Sequence, residues 1–127
     1  MASNVLVLGA GIYQVPLIKR IQARGMRAVV ASIPGDYPGI SHADEFLPVN
    51  TTDERGIVEA ARNKDAEAVI TTGTDVALRS LGATVDALGL VGPTHAMAVR
   101  ATNKADMKQA FEEGGVRSAK HVKAASE

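Results

Sequence analysis

The chain of 127 residues has a mass of 13.2 kDa, which suits one domain with a single hydrophobic core. It contains 14 Lys plus Arg and 14 Asp plus Glu, so its formal net charge is zero, and 3% of its residues are aromatic. This balance excludes a general electrostatic binder of nucleic acid and a base-stacking surface. There is no cysteine and the three histidines have no metal-ligand spacing, which excludes disulfides, zinc–thiolate centres and thiol catalysis.

Membrane insertion and export are not expected from the sequence. Its longest apolar stretches, such as Val5–Leu8 and Ala28–Ala31, are far too short to span a bilayer. The amino terminus lacks a basic segment followed by a long apolar one, so it does not look like a signal peptide. The absence of cysteine agrees with the cytoplasmic location that we expect.

The first half of the chain alternates predicted strands and helices. Val5–Leu8 is an apolar run that ends at a glycine turn, which indicates a buried parallel strand. Apolar residues at helical spacing predict a helix over 14–24 that Gly25 closes. A second buried strand is predicted over 27–32. Ile33–Gly39 contains two prolines and two glycines, which favours a loop.

The third strand and its helix carry weaker signals. A short strand is predicted over Glu45–Val49, and Pro48 makes it a candidate for the edge of the sheet. Thr51 and Glu54 fit the capping-box pattern, which opens a helix that runs to about Lys64.

The remaining elements complete an α/β pattern. They are a strand over 68–71, a helix opened by the turn at 72–75 and closed by Gly89, a helix over 95–101 after Gly92–Thr94, and a helix after Asn103 that stops at Gly114–Gly115. This alternation predicts an open, mostly parallel sheet with helices on both faces, in a Rossmann-like three-layer fold.

Gly9 and Gly11 follow the first strand, at the end of the sheet where parallel α/β folds bind ligands. Backbone there can approach an anion, and a helix N-terminus favours negative charge. A dinucleotide fingerprint would have a third glycine in place of Gln14 and an acidic residue near Ser32. Both features are missing, which disfavours a nicotinamide cofactor. A tight turn without a ligand explains the two glycines equally well.

Residues 71–75, Thr-Thr-Gly-Thr-Asp, follow the fourth predicted strand. Their hydroxyls and carboxylate could bind a substrate amine or hydroxyl. Thr74 or Asp75 could instead accept backbone N–H bonds at a helix start, and we favour this capping role. Asp36 and Tyr37 in the proline–glycine loop leave the same two alternatives.

Arg100, Lys104 and Lys108 recur at every fourth position. In one unbroken helix they would line one face and could meet phosphates. Such a row of basic side chains usually forms only a solvent-exposed stripe on a helix, and nearby acidic residues lower its positive potential.

Segments along nearly the whole chain resemble the N-terminal, or pre-ATP-grasp, domain of ATP-grasp ligases. Their order and spacing carry the resemblance, above all the Gly92-Pro93 turn that precedes Asn103-Lys104. The matching segments are 5–11, 34–39, 43–44, 69–75, 88–93, 101–108 and 111–116. The family includes carbamoyl phosphate synthase, biotin carboxylase and ATP-using enzymes of purine synthesis.

The resemblance implies a domain over 1–115 and a connector over 116–127 toward an ATP-grasp domain. Family members activate a carboxylate with ATP as an acyl phosphate, and a nucleophile, usually an amine, then displaces the phosphate to form the new bond to the acyl carbon. By this resemblance Lys104 contacts the ATP phosphates, and helix geometry adds Arg100. The residues that would border the acceptor substrate are Gly9, Gly11, Tyr13, Thr74 and Asp75.

The family binds ATP between two further domains, which supply a strand lysine, the adenine pocket and the acidic magnesium ligands. ATP with Mg²⁺ is therefore the cofactor expected of a longer ligase, and none is expected to bind tightly to this chain, which alone should be inactive. The expected partners are a small carboxylate or amine and the missing domains. A surface left bare by those domains would favour a homodimer. Purine-type relatives carry a carboxylate pair where this chain has Thr72–Asp75, which argues against a purine intermediate as substrate.

Two other functions remain open from the sequence. The chain could be a stand-alone module that binds an anion or another subunit without catalysis, in which case its natural product would end near residue 127. A dinucleotide-binding domain is the third hypothesis, and it requires nicotinamide binding despite Gln14 and Ser32.

Overall fold

The computed structural model describes residues 2–125, which form a parallel sheet covered by helices. The strands are β1 (Asn4–Leu8), β2 (Arg27–Ser32), β3 (Glu45–Pro48) and β4 (Ala66–Ile70). The helices are α1 (Val15–Ala23), α2 (Pro38–His42), α3 (Glu54–Asn63), α4 (Leu78–Leu88), α5 (His95–Thr102) and α6 (Lys104–Glu113). The predicted α/β class is confirmed.

The strand order is β3-β2-β1-β4, and every neighbouring pair is parallel. Leu8 of β1 lies opposite Ala31 of β2, and Val7 lies opposite Ile70 of β4. The chain moves outward in one direction from β1 to β3 and then crosses to the other side for β4. The loops after β1 and β4 therefore diverge, which is the arrangement that opens a ligand crevice in parallel sheets.

The central strand β1 has an apolar core on each of its two faces, as predicted. Val5 and Val7 pack with Ile18 and Ile21 of α1 on one face. On the other face, Leu6 and Leu8 pack with Ile57 of α3 and with Leu81 and Val85 of α4. Successive side chains of a strand point to opposite faces, so a continuous apolar run is buried on both sides.

The third strand lies at the sheet edge, where Pro48 was expected to place it. Beside it, Asp44 fastens the start of β2, because its Oδ2 accepts hydrogen bonds from the Ala28 backbone N–H at 2.8 Å and from Gln22 Nε2 at 3.1 Å. These bonds, the first above all, hold the pKa of the Asp44 carboxyl below its ordinary value, and the nearby Arg27 acts in the same direction.

The prediction of a loop over residues 33–39 is wrong for its last two residues, because α2 begins at Pro38. Proline is tolerated in the first turn of a helix, where its missing N–H has no partner to lose. The next residue, Gly39, donates its N–H to the Ala10 carbonyl at 2.7 Å, and a Cβ at Gly39 would clash with the Ala10 backbone. This contact joins the loops after β1 and β2.

Two predicted helix starts are also corrected. The cap of α3 is Asp53, whose Oδ1 accepts the Gly56 N–H at 3.0 Å, and Thr51 takes no part in a capping box. The cap position of α4 is Ala77, without a side-chain bond, so neither Thr74 nor Asp75 is the N-cap, although the Thr74 hydroxyl accepts the Val76 N–H at 3.4 Å just before the helix. A buried alanine there keeps α4 close to the sheet.

The later boundaries follow the prediction. Gly89 ends α4 with a positive φ of 65°, Thr94 caps α5, and Asn103 caps α6. After the turn at Gly114–Gly115, residues 116–125 form no helix or strand and are exposed. Ser126 and Glu127, the end of the predicted connector, lie outside the described residues.

Candidate functional site

A crevice of about 340 Å³ opens at the carboxyl edge of the sheet, between the loops that follow β1, β2, β3 and β4. Its lining is formed by Leu8, Gly9, Ala10, Gly11, Gln14, Ser32, Ile33, Tyr37, Asn50, Thr51, Thr52, Thr74 and Val76. The carboxyl ends of all four strands lie next to this crevice, so it brings together residues that are far apart in the sequence. Of the predicted substrate residues, the structure brings together Gly9, Gly11 and Thr74.

The floor of the crevice is closed by the side chain of Gln14, which is 5% exposed. Its Oε1 accepts the Gly11 backbone N–H at 2.7 Å, and its Nε2 donates to the Thr72 carbonyl oxygen. The amide group thus ties the loop after β1 to the loop after β4. Both ends of a buried amide are satisfied here, which removes the cost of burying it.

The close approach of Gln14 gives Gly9 and Gly11 a structural role. A Cβ at Gly9 would lie 3.0 Å from the Gln14 side chain, and one at Gly11 would lie 3.1 Å from Oε1. Gly9 also has a positive φ of 104°, which disfavours side chains. In a dinucleotide fingerprint these glycines make room for a pyrophosphate, whereas here they make room for an internal amide.

The remaining polar groups of the lining are neutral. Asn50 organises the loop after β3, because its Oδ1 accepts from the Thr52 N–H at 2.9 Å and from the Thr52 hydroxyl at 2.8 Å. Ser32 is buried and donates its hydroxyl to the Ile33 carbonyl at 2.7 Å. These hydroxyls keep acceptor lone pairs that a ligand donor can use.

Two predicted substrate residues lie outside the lining. Tyr13 is 71% exposed and packs over Gly73, where a Cβ would come within 2.6 Å of the Tyr13 Cβ. Asp75 is exposed and also does not line the crevice. Both residues are therefore neighbours of lining residues in the sequence, but their side chains are not part of the crevice walls.

The two predicted phosphate-binding residues, Arg100 and Lys104, do not line the crevice either. Both are exposed, on α5 and at the first position of α6. Asn103, with a ψ of 112°, interrupts the helix between them, so the single row that would include Lys108 is not formed. Arg100 shares a groove of about 380 Å³ with Asp106 and Glu113, among other residues, and these carboxylates lower its positive potential.

Sequence reasoning missed Asn50, Thr51 and Thr52 as lining residues and Gln14 as the closing group. The signal for the first three was their position directly after the edge strand, which we interpreted only as a helix start. In the sequence pattern, Gln14 stands out only because it occupies the position of the third glycine of a dinucleotide fingerprint. Its partner Thr72 is 58 residues away, so the contact has no local signature.

Within residues 2–125, no three His, Asp or Glu side chains come together as a metal-binding group. Over the same range, every helix is too short or too polar to cross a membrane.

Neither a protein-family model nor a curated protein sequence matches the chain, but solved structures do. Phosphoribosylglycinamide synthetase from Anaerococcus prevotii matches all of this chain with a TM-score of 0.88 and 26% identity, over 33% of that protein. N5-carboxyaminoimidazole ribonucleotide synthetase from Thermotoga maritima matches 89% of this chain with a TM-score of 0.72 and 13% identity, over 31% of its own length. L-amino acid ligase from Bacillus licheniformis matches 91% with a TM-score of 0.71 and 13% identity, over 31% of its length. The last two show the fold alone. The chain spans about a third of each of these proteins.

Proposed function

Because the chain has the fold of the N-terminal domain of ATP-grasp ligases, we propose that it is the acceptor-side domain of an ATP-dependent carboxylate–amine ligase. The observation that carries the proposal is the match of the full chain to one region of a synthetase about three times its length. The crevice supports it, because it lies at the carboxyl edge of the sheet, between the loops of all four strands, where parallel α/β folds bind ligands.

In this proposal the crevice borders the acceptor substrate, and Gly9, Gly11 and Thr74 belong to its walls. Tyr13 and Asp75 contact the part of the substrate that protrudes from the mouth. Such a division leaves the reacting atoms outside the crevice, facing the nucleotide that the rest of the ligase holds. The chain then contributes binding and orientation, which lower the barrier by placing the reactants together.

The cofactor of the proposed ligase is ATP with Mg²⁺, which would supply the activation of the carboxylate. The described residues do not fit a magnesium site, since no acidic cluster forms among them. They do offer Lys104, an exposed ammonium group at the start of α6, as a contact for phosphate oxygens. The metal ligands would belong to other domains.

The first test is the mass of the native gene product, detected in source cells with an antibody raised against this chain. The proposal expects a product several times heavier than 13.2 kDa. A product of about 13.2 kDa would instead support a stand-alone binding module. The second test is ADP formation by the purified native product with MgATP and pooled carboxylates and amines. Release of ADP that requires both substrates is the expected result, and none with any pair would contradict the proposed reaction.

A further inference from the structure

The loops that surround the crevice carry no positive charge. They are residues 9–14, 33–37, 49–53 and 71–77, and none of them contains Lys, Arg or His. They do contain three acidic residues, Asp36, Asp53 and Asp75. Clefts with charges of one sign focus their field on the ligand, so this edge of the sheet attracts cations and repels anions.

Much of the backbone that could replace the missing cations is already engaged. In the turn after β1, the N–H of Gly9 donates to Ala31 and the N–H of Gly11 donates to Gln14 Oε1. Pro16, in the first turn of α1, has no N–H. The N-terminus of α3 is capped by the Asp53 carboxylate. These groups are engaged or absent, whereas the N-terminus of α4 has no side-chain cap, so a phosphate at this edge would meet backbone N–H groups at most and no cationic side chain of these loops.

Apolar side chains form a further part of the lining. Ile33, Tyr37 and Val76 line the crevice and remain 46%, 37% and 62% exposed. Ile12 and Tyr13, on the adjoining loop, are each 71% exposed. Covering exposed apolar side chains with a ligand lowers the free energy, and a crevice of about 340 Å³ is large enough for a small molecule with an apolar side chain.

We infer that the crevice takes an amine with an apolar side chain and without phosphate as the acceptor substrate. This inference rests on the proposed function and adds the class of substrate. Burying a phosphate here would leave it without a cationic partner, which is strongly unfavourable. An ammonium group is favoured by the local potential and by the free lone pairs of the threonine hydroxyls, while the side chain covers Ile33 and Val76.

The test is a pair of NMR titrations of the ¹⁵N-labelled chain with leucinamide and with ribose 5-phosphate at equal concentrations. Leucinamide is expected to shift the amide signals of Gly9, Gly11 and Thr74, and ribose 5-phosphate is expected to leave them in place. Shifts caused by ribose 5-phosphate, or none caused by leucinamide, would overturn the inference.

A charge reversal at the rim sharpens the test. Val76→Lys adds a cation at a 62% exposed position, so the fold should tolerate it. It is expected to weaken leucinamide binding about fivefold and to create binding of ribose 5-phosphate. Val91→Lys, at a fully exposed position outside the lining, is the matched control and should change neither. Equal effects of both variants would contradict a specific crevice. These binding results do not affect the mass measurement or the ADP assay described above. The class of acceptor substrate and the proposed ligase function can therefore be disproved independently.

Discussion

At the residue scale, Gln14 shows how one side chain can decide what a glycine turn does. The turn has the start of a dinucleotide fingerprint, yet its centre is filled by an amide that bonds to Gly11 and Thr72. The two glycines are needed for that amide to fit. Under the third hypothesis, a nicotinamide cofactor in the place usual for this turn would have to displace this amide and break its two partly buried hydrogen bonds.

Replacing Gln14 with alanine should therefore destabilise the fold. The change leaves the Gly11 N–H and the Thr72 carbonyl without their partner and opens a small cavity, which together cost about 2 kcal/mol. Urea denaturation followed by circular dichroism measures this loss. Gln109→Ala is the control, because Gln109 is exposed on α6 and bonds to Glu113. A Gln14→Ala chain as stable as the control would show that the amide does not tie the two loops.

The proposed contact of this chain with ATP depends on Lys104. Its side chain is exposed at the first position of α6, so Lys104→Ala should leave the unfolding free energy unchanged. In the longer ligase we expect the variant to bind ATP about tenfold more weakly, since a charge-assisted phosphate contact is worth about 1.5 kcal/mol. Isothermal titration with an ATP analogue measures the affinity.

The matched control for this prediction is Lys19→Ala, on an exposed position of α1. Both variants remove one lysine, so an equal loss of affinity would indicate a general effect of net charge. Unchanged ATP affinity in Lys104→Ala would show that the role implied by the resemblance does not apply to this chain.

At the scale of elements, periodicity predicted the strands and most helices because each buries a face that its own sequence encodes. Leu78, Leu81, Val85 and Leu88 recur at helical spacing, and α4 spans these residues. The prediction failed where several local signals competed. Thr51 and Glu54 fit a capping box, but Asp53 lies closer to the helix and its carboxylate takes the Gly56 N–H instead.

The short helix α2 was missed for a related reason. Two prolines and two glycines favour a loop, and nothing in residues 33–39 indicates that Gly39 will donate to Ala10. That bond connects two loops that the sheet brings together, so it exists only after β1 and β2 have paired. The rule that parallel sheets bind ligands at the carboxyl ends of their strands predicts the position of the crevice. The local sequence pattern does not indicate that the loop after the edge strand β3 contributes to its lining.

The attachment of β2 through Asp44 should make stability depend on pH. The folded pKa of Asp44 lies below its ordinary value of 3.8, because the ionised carboxylate accepts the Ala28 and Gln22 hydrogen bonds. The unfolded state then binds the proton more tightly than the folded state. This contribution is therefore complete well above pH 3.8 and is lost as the pH falls through the lower folded pKa.

Asp44→Asn should reduce stability at pH 7, and it should make the loss of stability below pH 3.8 less steep, because the variant lacks the carboxyl group whose pKa is lowered by folding. Urea unfolding at several pH values measures both effects. Asp36→Asn is the control, because the Asp36 side chain is exposed and forms no hydrogen bond within residues 2–125. An Asp44→Asn profile parallel to that of the unchanged chain would assign the acid sensitivity to other carboxyls.

At the scale of the whole molecule, the described residues divide into a packed unit and a tail. The core clusters draw on β1 to β4 and on α1, α3 and α4, while α5 and α6 pack outside them. The tail beyond Gly115 is exposed, and within residues 2–125 few polar contacts join it to α6. They are the hydrogen bond from the Val116 N–H to the Phe111 carbonyl oxygen at 2.8 Å, the one from Lys108 Nζ to the Ala119 carbonyl oxygen at 3.5 Å, and the contact between His121 Nε2 and Glu112 Oε1 at 3.7 Å.

A chain that ends at Val116 should therefore unfold like the full chain. The two long contacts it loses are surface interactions, each worth less than about 0.5 kcal/mol, so the melting temperature should change by no more than about 3 °C. Differential scanning calorimetry of the two chains measures this. A control chain that ends at Asn103, before α6, removes the helix that packs on α5 and should melt at a clearly lower temperature. If ending the chain at Val116 lowered the melting temperature as much as ending it at Asn103, the tail would be part of the folded unit, and the proposed boundary at residue 115 would be wrong.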